Sequence, residues 1–279
     1  MRTAAVILVA ATALVAAGCG GGGKKAATPL ELVSQAVSKT TTGNSAKFHM
    51  DITEKANGIG PFTFTADGVS DASNRSARMS LDMSSIAQIL SGGKKANGND
   101  WKADVILDGT DAKNIVEYLR LPVLTKQLPS GKSWVKIELN KLDQLNNVNL
   151  TTLLQAAGQQ DPTQALQLLQ SVGDVKAVGS EQVGGVDTTH YTGTIDPKTV
   201  ADKYGLTGLA PVLAASGAQS MPIDVWIDGD GYVRKFQESV KGTNATLDIA
   251  TTLSDFGATV DLTPPPAGDT TDLSAALKK

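Results

Sequence analysis

Phe48-His49-Met50-Asp51-Ile52-Thr53 alternates apolar and polar side chains, and the same beat returns at Phe62-Thr63-Phe64-Thr65 and at Ala77-Arg78-Met79-Ser80-Leu81-Asp82-Met83. A period of two places every second side chain on one side of an extended chain, so each run predicts a strand with one greasy face. The spacers Asn57-Gly58-Ile59-Gly60-Pro61 and Asp71-Ala72-Ser73-Asn74 carry turn chemistry and leave little room for a crossover. Antiparallel pairing is therefore favoured.

Further strands are expected at 102–107, 114–119 and 133–137, interrupted by Pro122, Pro129 and Gly131, with a short helix at 84–90 before the Gly- and Asn-rich stretch 92–100. From Lys141 the period lengthens. Leu142, Leu145, Leu153 and Leu154, then Leu166, Leu169 and Val172 after Asp161-Pro162, fit the greasy side of helical turns. Strands follow at 175–178 and 185–195, then a helix from Asp196-Pro197 to Tyr204 and a broken helical stretch over 206–213. Met221 to Val240 reads as a hairpin around Asp228-Gly229-Asp230-Gly231, and a two-residue turn at Gly229-Asp230 sets Ile227 opposite Tyr232, Trp226 opposite Val233 and Asp224 opposite Lys235. A last strand, 245–256, and the segment 260–262 precede Pro264-Pro265-Pro266 and a helical turn at 272–277. Upstream, Thr28 caps and Pro29 opens a helix to about residue 40, with Leu30, Leu32, Val33, Ala36 and Val37 at helical spacing.

The N-terminus is an address. Arg2 precedes an apolar run, Ala4 to Ala17, that is too short for a comfortable bilayer span, and Val15-Ala16-Ala17-Gly18-Cys19 resembles a bacterial lipobox. Cys19 is the sole cysteine, so no disulfide within the chain accounts for it, whereas acylation does. Gly20 to Ala27 has no apolar periodicity and reads as a flexible tether. A formal charge of −3 argues against a nucleic-acid partner.

Catalysis has little to work with. There are two histidines, His49 and His190, both on expected strands, and no HExxH, GxSxG or Walker loop. His49 is out of phase with Phe48 and Met50, which points it to solvent. The Asp-rich hairpin loop lacks the carboxylate spacing of an EF-hand, because Trp226 and Ser239 stand where ligands are needed. No catalytic residue, metal site or cofactor is assigned.

Gly185-Val186-Asp187-Thr188-Thr189 leading to Gly193-Thr194-Ile195-Asp196, then Pro222-Ile223-Asp224-Val225-Trp226-Ile227-Asp228 with Gly231-Tyr232-Val233-Arg234, then Thr252-Leu253-Ser254-Asp255-Phe256 before Val260 and Pro264, resemble the LppX/LprA/LprF/LprG group of actinobacterial envelope lipoproteins. The resemblance implies an α+β fold, a strongly curved antiparallel β half-barrel with helices packed over its concave face. It also implies an apolar cavity for acylated lipid or lipoglycan, a form shared with the LolA and LolB carriers. The chain then divides into a signal peptide at 1–18, lipidated Cys19 and tether over 19–28, a lipid-carrier-like domain over 29–263, and a Pro-rich tail over 264–279.

The candidate lining is Phe48, Met50, Ile52, Phe62, Phe64, Met79, Leu81 and Met83 from the strands, and Leu145, Leu153, Leu166 and Leu169 from the helices. Periodicity alone does not separate a dry core from a lipid-filled space, since both need one greasy sheet face and facing helix stripes. Flexible methionines on the strand faces suit a ligand of variable shape, and equally an ordinary core. The carrier reading places the protein on the outer face of the cytoplasmic membrane, with a membrane exporter as a further partner. The competing class is an anchored partner-binding or exporter-accessory module with no small ligand.

Overall fold

The computed structural model describes residues 26–42, 45–56, 59–87, 97–111, 114–126, 128–129, 131–138, 169, 172–196, 220–243 and 245–273. Helix α1 (Pro29–Thr41) opens it. Thr28 caps the helix as expected: the Glu31 N–H donates to Thr28 Oγ1 at 3.3 Å, and Glu31 Oε2 accepts from the Thr28 N–H at 2.7 Å. This reciprocal pair satisfies two backbone donors that a helix start leaves orphaned, and Pro29 costs nothing there because its missing N–H had no partner to lose.

Among the described residues twelve strands follow: β1 (Ser45–Ala56), β2 (Ile59–Asp71), β3 (Ser76–Asp82), β4 (Lys102–Asp108), β5 (Val116–Arg120), β6 (Trp134–Glu138), β7 (Val172–Val183), β8 (Val186–Ile195), β9 (Met221–Asp228), β10 (Val233–Lys241), β11 (Ala245–Ser254) and β12 (Thr270–Asp272). They form one open, curved sheet in the order β12-β6-β5-β4-β3-β2-β1-β11-β10-β9-β8-β7. Every pairing is antiparallel except β12 with β6. Short connections dictate this meander, as hairpin-linked strands pair with their neighbours. The longest-range pairing is β1 with β11, where Phe48 meets Leu253 and Met50 meets Thr251. It joins the two halves of the chain into one sheet.

One face of that sheet carries the core. Phe48, Met50 and Ile52 of β1 share it with Met79 and Leu81 of β3, Val105 of β4, Leu119 of β5, Ile223 and Val225 of β9 and Phe236 of β10, and α1 contributes Val33, Ala36 and Val37. The register puts Gly68 of β2 between Phe48 and Met79. A Cβ on Gly68 would lie 2.5 Å from the Phe48 ring, so the missing side chain is what lets that ring lie down on the sheet. At its C-terminal end α1 is tied to β10. Thr40 Oγ1 donates to Ala36 O at 2.7 Å and accepts from the Val233 N–H at 2.9 Å, which satisfies a backbone donor that would otherwise be buried unpaired.

Three sequence expectations are corrected. The β9–β10 turn is not a two-residue turn: the Gly231 N–H donates to Asp228 O and the Asp228 N–H to Tyr232 O, so the loop holds three residues and Ile227 lies opposite Val233. A second shift at Arg234 brings Lys235 opposite Trp226 and Gln237 opposite Asp224. In the Pro-rich tail, Thr270–Asp272 adds β12 to the sheet where the start of a helical turn was expected, and Val172, expected on the greasy side of a helix, instead opens β7. The signal peptide, Cys19, most of the tether, the part up to residue 168 of the helices expected between Lys141 and Gly173, and the helical stretches expected over 197–213 lie outside the described residues.

Candidate functional site

Across the sheet the inner-facing side chains form rows. One row runs Met50, Ala66, Leu81, Ala103 from β1 to β4, and Met50 meets Thr251 on its other side. The next row runs Phe64, Ile52, Ile249, Glu238, Ile223 through β2, β1, β11, β10 and β9. Beyond it lie Phe62, Glu54, Leu247 and Val240. Exposure changes along these rows. Ala66 and Thr251 are fully enclosed, whereas Phe62, Phe64, Ile249, Leu247 and Val240 are only half-buried. The inner face therefore has a partly open apolar rim where β1 and β10 end and β2 and β11 begin.

Of the residues proposed from the sequence, Phe48, Met50, Ile52, Met79, Leu81 and Leu169 are buried in one apolar cluster. Phe64 and Met83 pack against its margin, and Phe62 stands on the same face at the rim. Leu145, Leu153 and Leu166 lie outside the described residues.

Sequence reasoning missed the polar groups on this face. Glu117 is completely buried, opposite Leu107 and Ile137, and neither carboxyl oxygen finds a hydrogen-bond partner among the described residues. Glu238 lies between Ile249 and Ile223 with Oε1 buried and without a partner among the described residues, and Thr251 Oγ1, one row inward on the adjacent strand, is in the same condition. Burial pushes both carboxyls up to about 7, because nothing nearby offsets the cost of a charge out of water. Glu238 was legible as an inward residue. It stands midway between Phe236 and Val240 in the apolar phase of its strand.

On the opposite face of β7 to β10, polar side chains partner one another. His190 Nε2 meets Asp224 Oδ1 at 2.8 Å and its Nδ1 meets Glu181 Oε1 at 3.1 Å, while the Trp226 indole N–H donates to Glu181 Oε2 at 3.0 Å. The imidazole stacks on Trp226 at 4.3 Å and Lys235 covers the same indole at 4.4 Å. This ladder crosses four strands and locks them together. His49 is exposed as expected, and its Nδ1 meets Asp67 Oδ1 at 2.7 Å, a contact that raises its pKa. Among the described residues no cluster of three or more His, Cys, Asp or Glu side chains is arranged to hold a metal ion, and no helix is long and apolar enough to cross a membrane.

The family model described as LppX_LprAFG lipoprotein matches residues 130–262. A 31.2 kDa protein of Streptomyces griseus is 29% identical over 155 residues, covering 53% of this chain and 51% of the relative. Lipoprotein LprA of Mycobacterium tuberculosis is 32% identical over 106 residues, covering 38% of this chain and 41% of its own length. The chain thus spans about half the length, or less, of the curated relatives it matches. The crystal structure of Mycobacterium tuberculosis lipoprotein LppX aligns with a TM-score of 0.46 at 19% identity, covering 84% of this chain and 98% of that one. That of LprF from Mycobacterium bovis aligns at 0.46 and 16% identity, covering 85% and 96%. The quoted motifs from Gly185 to Val260 lie within the stretch the family model matches, and over residues 130–262 the chain resembles the LppX/LprA/LprF/LprG lipoproteins.

Proposed function

We propose that the protein is an envelope lipoprotein, anchored through acylated Cys19, that holds an acylated lipid or lipoglycan against the inner face of its sheet and carries it across the envelope. The observation that supports this reading is the apolar inner face, enclosed at its centre and half-open at the rim of Phe62, Phe64, Leu247, Ile249 and Val240. A soluble protein that had only to fold would gain by burying that rim, at roughly 25 cal/mol per Å². Carriage requires no chemistry of the protein, only apolar surface that water is kept from and a ligand can reach. Met50, Met79 and Met83 line the face with side chains that adapt to chains of different shape.

The test is direct. The full chain, purified from a bacterium that exports it, should yield a diacyl or triacyl lipid on organic extraction, separate from any covalent anchor and identified by mass spectrometry. Leu81→Trp should lower that yield while the protein still melts cooperatively, because space occupied by acyl chains accepts an indole. A close-packed core resists the same insertion at a cost of about 1 to 3 kcal/mol. Recovery of no lipid together with a sharply lowered melting temperature in Leu81→Trp would return the inner face to an ordinary core and leave an anchored partner-binding module. Cys19→Ala should abolish palmitate labelling and membrane retention, and label that persists on the variant would remove the anchor from the proposal.

A further inference from the structure

Glu238 and Thr251 are the polar exceptions on the apolar inner face of β9, β10 and β11. Phe236 lies opposite Thr251, and Glu238 opposite Ile249, so the two polar residues occupy diagonal positions on neighbouring strands. Their remaining cross-strand neighbours are Met50, opposite Thr251, and Ile223, opposite Glu238. Glu238 is 8% exposed and Thr251 is 0% exposed, and Glu238 Oε1 and Thr251 Oγ1 have no hydrogen-bond partner among the described residues. An orphaned polar atom in an apolar setting costs more than a partnered one, so a protein that merely needed a core would do better with Leu and Val here. The position is also informative. Glu238 stands one row inside the half-exposed rim of Leu247 and Val240, where a ligand entering chain-first would leave the polar linkage at the base of its acyl chains.

We propose that Glu238 and Thr251 form a hydrogen-bonding subsite for an uncharged ester or hydroxyl group at the base of the ligand's acyl chains, and that this pair selects neutral acyl lipids over those with an anionic group at the same depth. The proposal rests on the carrier reading above and specifies its ligand. Burial favours the protonated Glu238 carboxyl, which offers one O–H donor and one carbonyl acceptor, and the threonine hydroxyl offers one of each, which matches an ester or an alcohol. Among the described residues no cation lies on this part of the face to meet a phosphate or carboxylate at that depth, which would face Glu238. Glu54, the other acid in the inward phase nearby, lies on the rim beside Leu247 and Phe62 and adds to the bias against anions.

The experiment offers the full chain vesicles of phosphatidylcholine doped with either dipalmitoylglycerol or dipalmitoyl phosphatidate, and counts protein-bound lipid by mass spectrometry after separation. The wild-type chain should take up the diacylglycerol at least tenfold better. Glu238→Leu and Thr251→Val should each narrow that ratio several-fold, and Glu238→Gln, which keeps a donor and an acceptor, should recover most of the selectivity that Glu238→Leu loses. Melting curves identify any variant that fails to fold, and the glutamine variant keeps the shape of the native side chain for that case. Uptake of both lipids with the same ratio in wild type and in Glu238→Leu overturns the subsite and leaves the carrier reading standing. Uptake of neither lipid by the wild-type chain overturns both.

Discussion

Glu117 shows how much a single residue sets. Both of its oxygens are buried on the apolar face without a partner among the described residues, so the folded protein favours the protonated carboxyl and holds its pKa at about 7, as it does for Glu238. The unfolded chain releases the same protons near the ordinary glutamate value of about 4.3. Stability contributed by the protonated forms is therefore fully present below that value, is lost as pH rises toward about 7, and does not fall further above it. Each shift corresponds to a loss on the order of 3 kcal/mol. Melting temperature should drop between about pH 4 and pH 7, Glu117→Gln should flatten the profile, and Glu117→Leu should raise stability at neutral pH because it removes an orphaned group from apolar surroundings. A pH-independent melting temperature in the wild-type chain would show that both carboxyls find partners in solution.

At the scale of elements, the β9–β10 hairpin shows why alternation alone does not set register. Reading the loop as Gly229-Asp230 predicts Asp224 opposite Lys235. Instead Asp228 dominates the turn: its Oδ1 accepts from the Tyr232 N–H at 2.8 Å and its Oδ2 from Arg234 Nε at 2.6 Å. Gly231 adopts φ +83°, which an L side chain resists. The three-residue loop moves the register by one, and the irregularity at Arg234 moves it by one more. Two shifts restore the phase, so Lys235 still shares a face with Asp224 but now covers Trp226, leaving Asp224 to His190. Gly231→Ala should cost about 1 to 2 kcal/mol from the left-handed backbone alone. Asp228→Ala should cost a comparable 1 to 3 kcal/mol, since it strands the Tyr232 N–H and the Arg234 guanidinium. Urea denaturation measures both, and a neutral effect of Gly231→Ala would mean that the loop rearranges to the two-residue form.

At the scale of the whole molecule, the sheet edges matter. β12 pairs parallel with β6, matching Thr270 to Trp134 and Asp272 to Lys136, and Ser133 Oγ donates to Asp269 Oδ2 at 2.7 Å just before it. A short strand of this kind covers backbone groups that would otherwise present an open edge to other copies. Deleting residues 267–279 should lower the melting temperature and promote self-association, measured by light scattering. An unchanged monomer would show that β6 tolerates an exposed edge.

The sequence by itself determined the strands, the antiparallel meander, the capped first helix and the greasy phase on which Phe48, Met50, Ile52, Met79 and Leu81 lie, because period, turn residues and capping chemistry act over a few residues. It also carried the motifs through which the family resemblance was read. Only the tertiary structure decided what meets across the sheet. The pairing of β1 with β11, the addition of β12 to β6, and the setting of Glu238 and Thr251 among apolar side chains bring together residues far apart in the chain. A carboxyl in the apolar phase of a strand reads in sequence as an irregularity. It becomes a candidate site only when the neighbouring strands supply no partner for it, and that is a property of the assembled sheet, where desolvation is set by every strand at once.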